Sequence, residues 1–208
     1  MRLSAWDLTI ERGGRRVIAG LSFTAEEGAG LVVTGPNGSG KSSLLRALCG
    51  FLPLEAGGFA LEGGDPERTV GEQAHYLGHA DGVKGALTAG ENLAFAAAML
   101  GGQSSRDTER AALARVGLAH VIDFPARLLS AGQRRRVALA RLLSADRRLW
   151  LLDEPATALD AAARAALAAI MQAHLRGGGV IVAATHAPLL GLEGAQELRL
   201  GPADGAAA

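Results

Sequence analysis

The sequence predicts an α/β fold with a mainly parallel core sheet and a helical lobe inserted into it. Three observations carry that prediction. Short apolar runs rich in Val, Ile or Leu recur at residues 31–34, 149–152 and 180–184, bounded by Gly or charge and too short for helices. Helical patterns lie between them, and such alternation of strand, loop and helix builds a parallel sheet. Between the early and late strands, residues 83–145 read as almost wholly helical.

The elements follow in order. After the run 31–34, residues 43–49 set Leu44, Leu45 and Leu48 on one helix side before Gly50 and Pro53 stop the helix. Thr88 and Glu91 have capping-box spacing ahead of a helix at 92–100, which Gly101 and Gly102 end. A second amphipathic stretch spans 107–116, and a third helical run spans 134–143. Beyond the strand 149–152, residues 161–176 carry an apolar face of Leu167, Ile170, Met171 and Leu175, and Gly177, Gly178 and Gly179 break the chain before the strand 180–184. The expected organisation is one domain over 1–208, with a core lobe at 1–82 and 146–208 and a helical lobe at 83–145. The Ala-rich tail after Gly201 reads as frayed.

Composition narrows the function. At 208 residues with 49% hydrophobic but only 4% aromatic residues, the core must be built from Leu, Val, Ile and Ala. The formal net charge of zero gives no electrostatic footprint for a nucleic-acid partner. One cysteine, Cys49, excludes an internal disulfide framework and fits a reducing compartment. The N-terminus lacks a basic start followed by an apolar stretch, so no secretory signal is read. The longest uncharged stretch, 177–192, falls short of the ~20 apolar residues of a membrane span. Among 21 basic residues only Lys41 and Lys84 are lysines, which points to use of the compact ammonium where a lysine persists.

Chemistry concentrates in three peptides. Gly35, Pro36, Asn37, Gly38, Ser39, Gly40, Lys41 and Ser42 satisfy G-x-x-x-x-G-K-[ST] between an expected strand and an expected helix that opens at Ser43. The glycines let backbone N–H groups curl around phosphate oxygens, Lys41 reaches the β- and γ-phosphates, and Ser42 offers its hydroxyl to Mg²⁺. In this context an ordinary Gly-rich turn is the weaker reading, and a nucleotide is the expected ligand. Asp153 and Glu154 end the strand 149–152, where ligands of such sheets bind. Asp153 is the expected Mg²⁺ anchor and Glu154 the group that polarises an attacking water. Without the phosphate loop the same pair would read as a solvated turn before Pro155. Third, Ser130, Ala131, Gly132 and Gln133 form a helix start with capping-box spacing and small residues over its N–H groups, fit for a second phosphate. Alone, that peptide is only a good helix start.

Taken together, the chain resembles the ABC transporter ATPases along essentially its whole length. Leu129-Ser-Ala-Gly-Gln133 is similar to that family's LSGGQ signature, with Ala131 in place of the first Gly. The resemblance implies an ABC-type P-loop NTPase cassette that works as a head-to-tail dimer, each signature helix completing the ATP site of a second copy. It further implies that Asp160, closing Ala156-Thr-Ala-Leu-Asp160, belongs to the loop that contacts the partner copy, and that His186 is a switch histidine at the γ-phosphate. Lys41, Glu154 and His186 are the expected catalytic set. His75, His120 and His174 read as surface or packing residues, and Arg134, Arg135 and Arg136 as a solvated helix face.

Two positions depart from the family. His79 stands where a Gln is usual; a neutral imidazole accepts from metal-bound water as Gln does, but not once protonated, so activity should fall more steeply towards acid pH. Arg12 stands where an aromatic side chain usually stacks on adenine; its guanidinium can lie flat on any base, which predicts weak base selection. The phrases ERGGRRV, HYLGHADGVK, ALTAGENL and LLSAGQRRRVALARL are similar to those of the ATP-binding subunits of haem exporters in bacterial cytochrome c biogenesis. That implies integral membrane permease partners from cytochrome c maturation, met at the cytoplasmic face of the inner membrane. The groove near residues 79–88 is the expected docking place. An exporter subunit for another cargo would share every catalytic residue. A soluble non-transport ABC ATPase fits less well, since tandem cassettes, basic linkers and coiled-coil insertions are missing. A small-molecule kinase would not need the signature peptide.

Overall fold

In a computed structural model that describes residues 1–187 and 189–201, five parallel strands run through the centre of the chain. They are β3 (Gly30–Thr34), β5 (Ala74–Leu77), β6 (Leu149–Asp153), β7 (Val180–Ala184) and β8 (Gln196–Arg199), in the spatial order β5-β6-β7-β3-β8. The tail expected to fray after Gly201 lies outside the described residues. Successive side chains on a strand point to opposite faces. Leu149, Leu151, Val180 and Val182 therefore enter one apolar cluster, and Trp150, Leu152, Ile181 and Ala183 the other. Burial on both faces is why these strands read as continuous apolar runs.

On the first face lies α1 (Lys41–Leu48), whose Leu44, Leu45 and Leu48 are fully buried. Over it packs an antiparallel sheet that the sequence reading did not foresee, of β1 (Arg2–Arg12), β2 (Arg15–Ala25) and β4 (Ala56–Glu62), in the order β2-β1-β4. Gly13 and Gly14, with φ of 60° and 73°, form the two-residue turn between the paired Arg12 and Arg15.

The second face is covered by α5 (Ala161–Arg176), through Leu167, Ile170 and Met171, and by the helices lying between β5 and β6. These are α2 (Ala89–Leu100), α3 (Arg106–Arg115) and α4 (Ala131–Ala140), with no strand among them beyond the single bridge of Thr88 with Pro125. Buried Asn92 pins the approach to α2: it accepts from Lys84 N–H at 2.8 Å and donates to the Lys84 and Thr88 carbonyls at 3.1 and 2.9 Å.

Helix starts move relative to expectation, each for a local reason. α1 begins at Lys41, not residue 43, because Gly40 takes a left-handed φ of 96° immediately before it and frees the chain to turn straight into helix. α4 begins at Ala131, not residue 134, because Ser130 and Gln133 form a reciprocal capping box; it ends at Ala140 and continues as a 3-10 turn over Arg141–Leu143.

Register then assembles a site. Leu77 pairs with Leu152, and both Val33 and Asp153 pair with Ala184, so the carboxyl ends of β5, β6, β7 and β3 lie side by side. Residues 35–42, 78–79, 153–154 and 185–186 leave the sheet along that one edge, where open α/β sheets bind ligands.

Candidate active site

The loop leaving β3 has little freedom. A Cβ on Gly35, whose φ is 142°, would come within 2.6 Å of the Leu200 carbonyl. One on Gly40 would meet Ile18 Cγ1 at 2.9 Å. The loop is thus wedged between the C-terminal strand and the antiparallel sheet. Lys41 is buried and donates through Nζ to the carbonyls of Gly35 and Pro36, at 2.8 and 3.0 Å, which holds its ammonium within the loop. Gly40 caps α1 without any side-chain bond, so the first-turn N–H groups stay free for an anion, as they do at any bare helix start.

Opposite the loop, Ser42 Oγ donates to Asp153 Oδ1 at 3.0 Å. Asp153 is nearly fully buried, and its Oδ2 has no hydrogen-bond partner among the described residues. A buried carboxylate oxygen without a donor is costly. A hydroxyl beside a carboxylate is a hard-oxygen pair of the kind that holds Mg²⁺ together with substrate phosphates and water. Glu154 follows in a left-handed conformation, φ 49°, which a non-glycine residue keeps only where its surroundings over-determine it. Its N–H donates to the Ala184 carbonyl at 2.9 Å. His186 Nδ1 lies 2.9 Å from Glu154 Oε1; facing a carboxylate, that nitrogen is the one carrying hydrogen.

These groups line one cleft of about 450 Å³, which brings together Arg12, Asn37, Gly38, Gly40, Lys41, Ser42, Ser43, His79, Asp153, Glu154 and His186. Val17 and Thr157 also line it; neither was singled out as a site residue. Ser39 lies beneath the surface, with its Oγ unpartnered among the described residues. Ser130, Ala131, Gly132, Gln133 and Asp160 are not in this cleft. Ser130 and Ala131 are exposed. Ser130 Oγ accepts from Gln133 N–H while Gln133 Oε1 accepts from Ser130 N–H, which leaves the N–H groups of Ala131 and Gly132 without intrahelical acceptors. Asp160 caps α5 by accepting from Ala163 N–H at 2.8 Å.

One reading is corrected. Arg134 to Arg136 are not a solvated face: Arg135 is 4% exposed and its guanidinium donates to the carbonyls of Gly78, Asp153 and Glu154. Arg134 and Arg136 are half-buried and bond to the carbonyls of Leu129 and Val116. A run of three arginines carries no local signal for which of them turns inward.

The ABC transporter family model matches residues 18–157, which holds the phosphate loop, the signature helix and the Asp153–Glu154 strand end. The chain belongs to the ABC transporter ATPase family. It is 57% identical over 203 residues to the "Cytochrome c biogenesis ATP-binding export protein CcmA" of Nitrobacter winogradskyi, covering 98% of this chain and all of that one. A protein of the same name from Rhodopseudomonas palustris is 54% identical, with the same coverage. Among solved structures, an ABC transporter ATP-binding protein from Pyrococcus furiosus superposes with a TM-score of 0.83 at 22% identity, covering 96% of this chain and 98% of that one. A bacterial Atm1-family ABC exporter with ATP bound superposes with a TM-score of 0.82 at 23% identity, covering 98% of this chain and 38% of that one. Both likenesses concern the fold. As a member of the ABC family the chain binds and hydrolyses ATP. Among its described residues no helix is long and apolar enough to cross a membrane.

Proposed function

We propose that the chain is the ATP-hydrolysing subunit of a membrane exporter in cytochrome c biogenesis, most simply the exporter of haem, at the cytoplasmic face of the bacterial inner membrane. The observation that carries the catalytic part is the meeting in one cleft of Lys41, the Ser42–Asp153 pair at 3.0 Å and the Glu154–His186 pair at 2.9 Å. The cargo and the membrane partners rest on the names of the full-length relatives.

The residues divide the work as follows. The loop 35–42 and the start of α1 cradle the phosphates of ATP, with Lys41 along the β- and γ-phosphates. Ser42 and Asp153 would hold Mg²⁺, which would offset charge on the phosphates, and His79, which lines the same cleft, would accept a hydrogen bond on the metal's side. Glu154 polarises the attacking water and His186 orients Glu154 from the far side. Arg12 lies under the base. The site is completed by Ser130 to Gln133 of a second copy, placed head-to-tail, with Asp160 at the seam. That arrangement is supported by the exposure of Ser130 and Ala131 and by the absence of residues 130–133 from the lining of the chain's own cleft. The helices of residues 83–145 form a lobe against the core of 1–82 and 146–208. Exposed Phe95 and Met99 of α2, beside Lys84, whose ammonium sits 4.7 Å over the Phe95 ring, support a membrane partner docking near residues 79–88.

The decisive experiment mixes two inactive variants. Ser130→Arg blocks the signature and Glu154→Gln removes the base, so neither hydrolyses ATP alone. In a mixed dimer one site retains both parts, and turnover returns. A mixture as inactive as its components would overturn the shared site. Capture of the native complex tests the second half: a partner set without cytochrome-maturation membrane proteins would overturn the cargo reading and leave the ATPase intact.

A further inference from the structure

We infer that Arg135 is the positioning residue for the hydrolytic carboxylate, tying Glu154 and the His79 loop to the signature helix. The inference rests on the reading of Glu154 as the base. Arg135 sits in the second turn of α4 and is 4% exposed. Its Nη2 donates to the Glu154 carbonyl at 2.7 Å and to the Asp153 carbonyl at 3.2 Å. Its Nη1 donates to the Gly78 carbonyl at 2.9 Å and to Asp81 Oδ1 at 3.2 Å. Neighbouring Arg141 grips the same loop, donating to the carbonyls of Asp81 and Gly82 at 2.9 and 3.2 Å.

A buried guanidinium is expensive unless its donors are satisfied; here both terminal nitrogens are held, by the Asp81 carboxylate and by backbone carbonyls of the residues that need fixing, while Nε has no partner among the described residues. Glu154 holds a left-handed backbone, φ 49°. Three bonds over-determine it: its N–H to Ala184, its carbonyl from Thr157 N–H, and its carbonyl from Arg135. The first ties it to β7, which leads into His186, and the last ties it to the signature helix. Gly78 precedes His79 directly, so the same side chain also fixes where His79 enters the cleft. The planar fork suits this task, since one rigid group spans two loops, whereas an ammonium is a single point. Arg135 does not itself line the cleft and has no hydrogen bond to the phosphate loop; it reaches the cleft only by holding the carbonyls of Asp153 and Glu154. Its loss should therefore misplace the carboxylate without altering the phosphate cradle.

The test uses the full chain in complex with its membrane subunits and compares Arg135→Gln, Arg135→Lys, Glu154→Gln and the double variant Arg135→Gln/Glu154→Gln. Misplacing a reacting group by about an ångström costs on the order of a hundredfold in rate. Arg135→Gln should lower kcat by about ten- to a hundredfold while KM and the affinity for a fluorescent ATP analogue stay within about twofold. Arg135→Lys should recover part of the loss, and the double variant should be no slower than Glu154→Gln. A kcat near that of the unaltered chain, or a fall in kcat matched by an equal fall in nucleotide affinity, overturns the inference. If Arg135→Gln does not fold, Arg135→Lys decides by the same two readings. Normal turnover in Glu154→Gln would instead refute the base assignment on which the inference stands.

Discussion

Acid should destabilise this protein through one buried histidine. His75 lies on β5, 4% exposed, with Nε2 3.0 Å from the Ala145 carbonyl and its ring edge-on to Trp150 at 6.3 Å; Trp150 stacks in turn on His174 at 3.8 Å. Burial lowers the His75 pKa from 6.5 to about 4; the Ala145 carbonyl opposes the shift, and the nearby Arg147, His174 and Arg141 add to it. The unfolded chain therefore takes up the proton first as pH falls. Stability from this group is complete above pH 6.5 and is lost as pH drops from 6.5 towards 4. One proton costs about 1.4 kcal/mol per pH unit in that window, so moving from pH 7 to pH 5 removes about 2 kcal/mol. Desolvation lowers His174 in the same direction and adds to the decline. The assay is urea unfolding at both pH values, for the unaltered chain and for His75→Gln, whose amide can still donate to Ala145 but does not titrate. The decline in the variant should be smaller by about 2 kcal/mol, on the order of 1 M urea in the shift of the midpoint. Equal declines in the two chains would refute the reasoning.

Two further outcomes follow from the cleft. Gly40→Ala places a Cβ 2.9 Å from Ile18 Cγ1 on a backbone of φ 96°; it should cost about 1–3 kcal/mol of stability and weaken ATP binding at least tenfold, read by thermal unfolding and nucleotide titration. No Phe, Tyr or Trp is among the described residues lining the cleft, and Arg12, which does line it, is the residue proposed to meet the base. GTP should therefore be hydrolysed within a few-fold of ATP, and Arg12→Ala should weaken both alike; a strong preference for ATP in the unaltered chain counts against the stacked guanidinium.

The central sheet was legible because burial on both faces writes itself as uninterrupted Val, Ile and Leu at 31–34, 149–152 and 180–184. α5 was legible to its ends, Ala161 and Arg176, since its apolar face is periodic and glycines follow it. The antiparallel sheet was not. β1 carries register shifts at Ala5, Leu8 and Ile10 and a left-handed Asp7, so its inward and outward residues lose the alternation that marks a strand. β5 and β8, four residues each, are too short to leave a pattern. In the cleft, motifs named Asn37, Gly38, Gly40, Lys41 and Ser42 as lining residues, because spacing within one loop fixes them. Arg135 was misread as solvated because its role depends on contacts with Gly78, Asp153 and Glu154, far from it in the chain, which no local spacing encodes.

The strand order has a consequence for synthesis on the ribosome. β3 delivers the phosphate loop, yet its two neighbours are β7 and β8, the last strands among the described residues. Leu31 pairs with Val182 on one side and Gln196 on the other, and Leu200 N–H donates to the Thr34 carbonyl at 2.8 Å just before the loop begins. The most recognisable peptide of the chain emerges from the exit tunnel early, but its supports are translated last. The loop is therefore expected to reach its binding shape only after β7 and β8 have been made and have paired with β3.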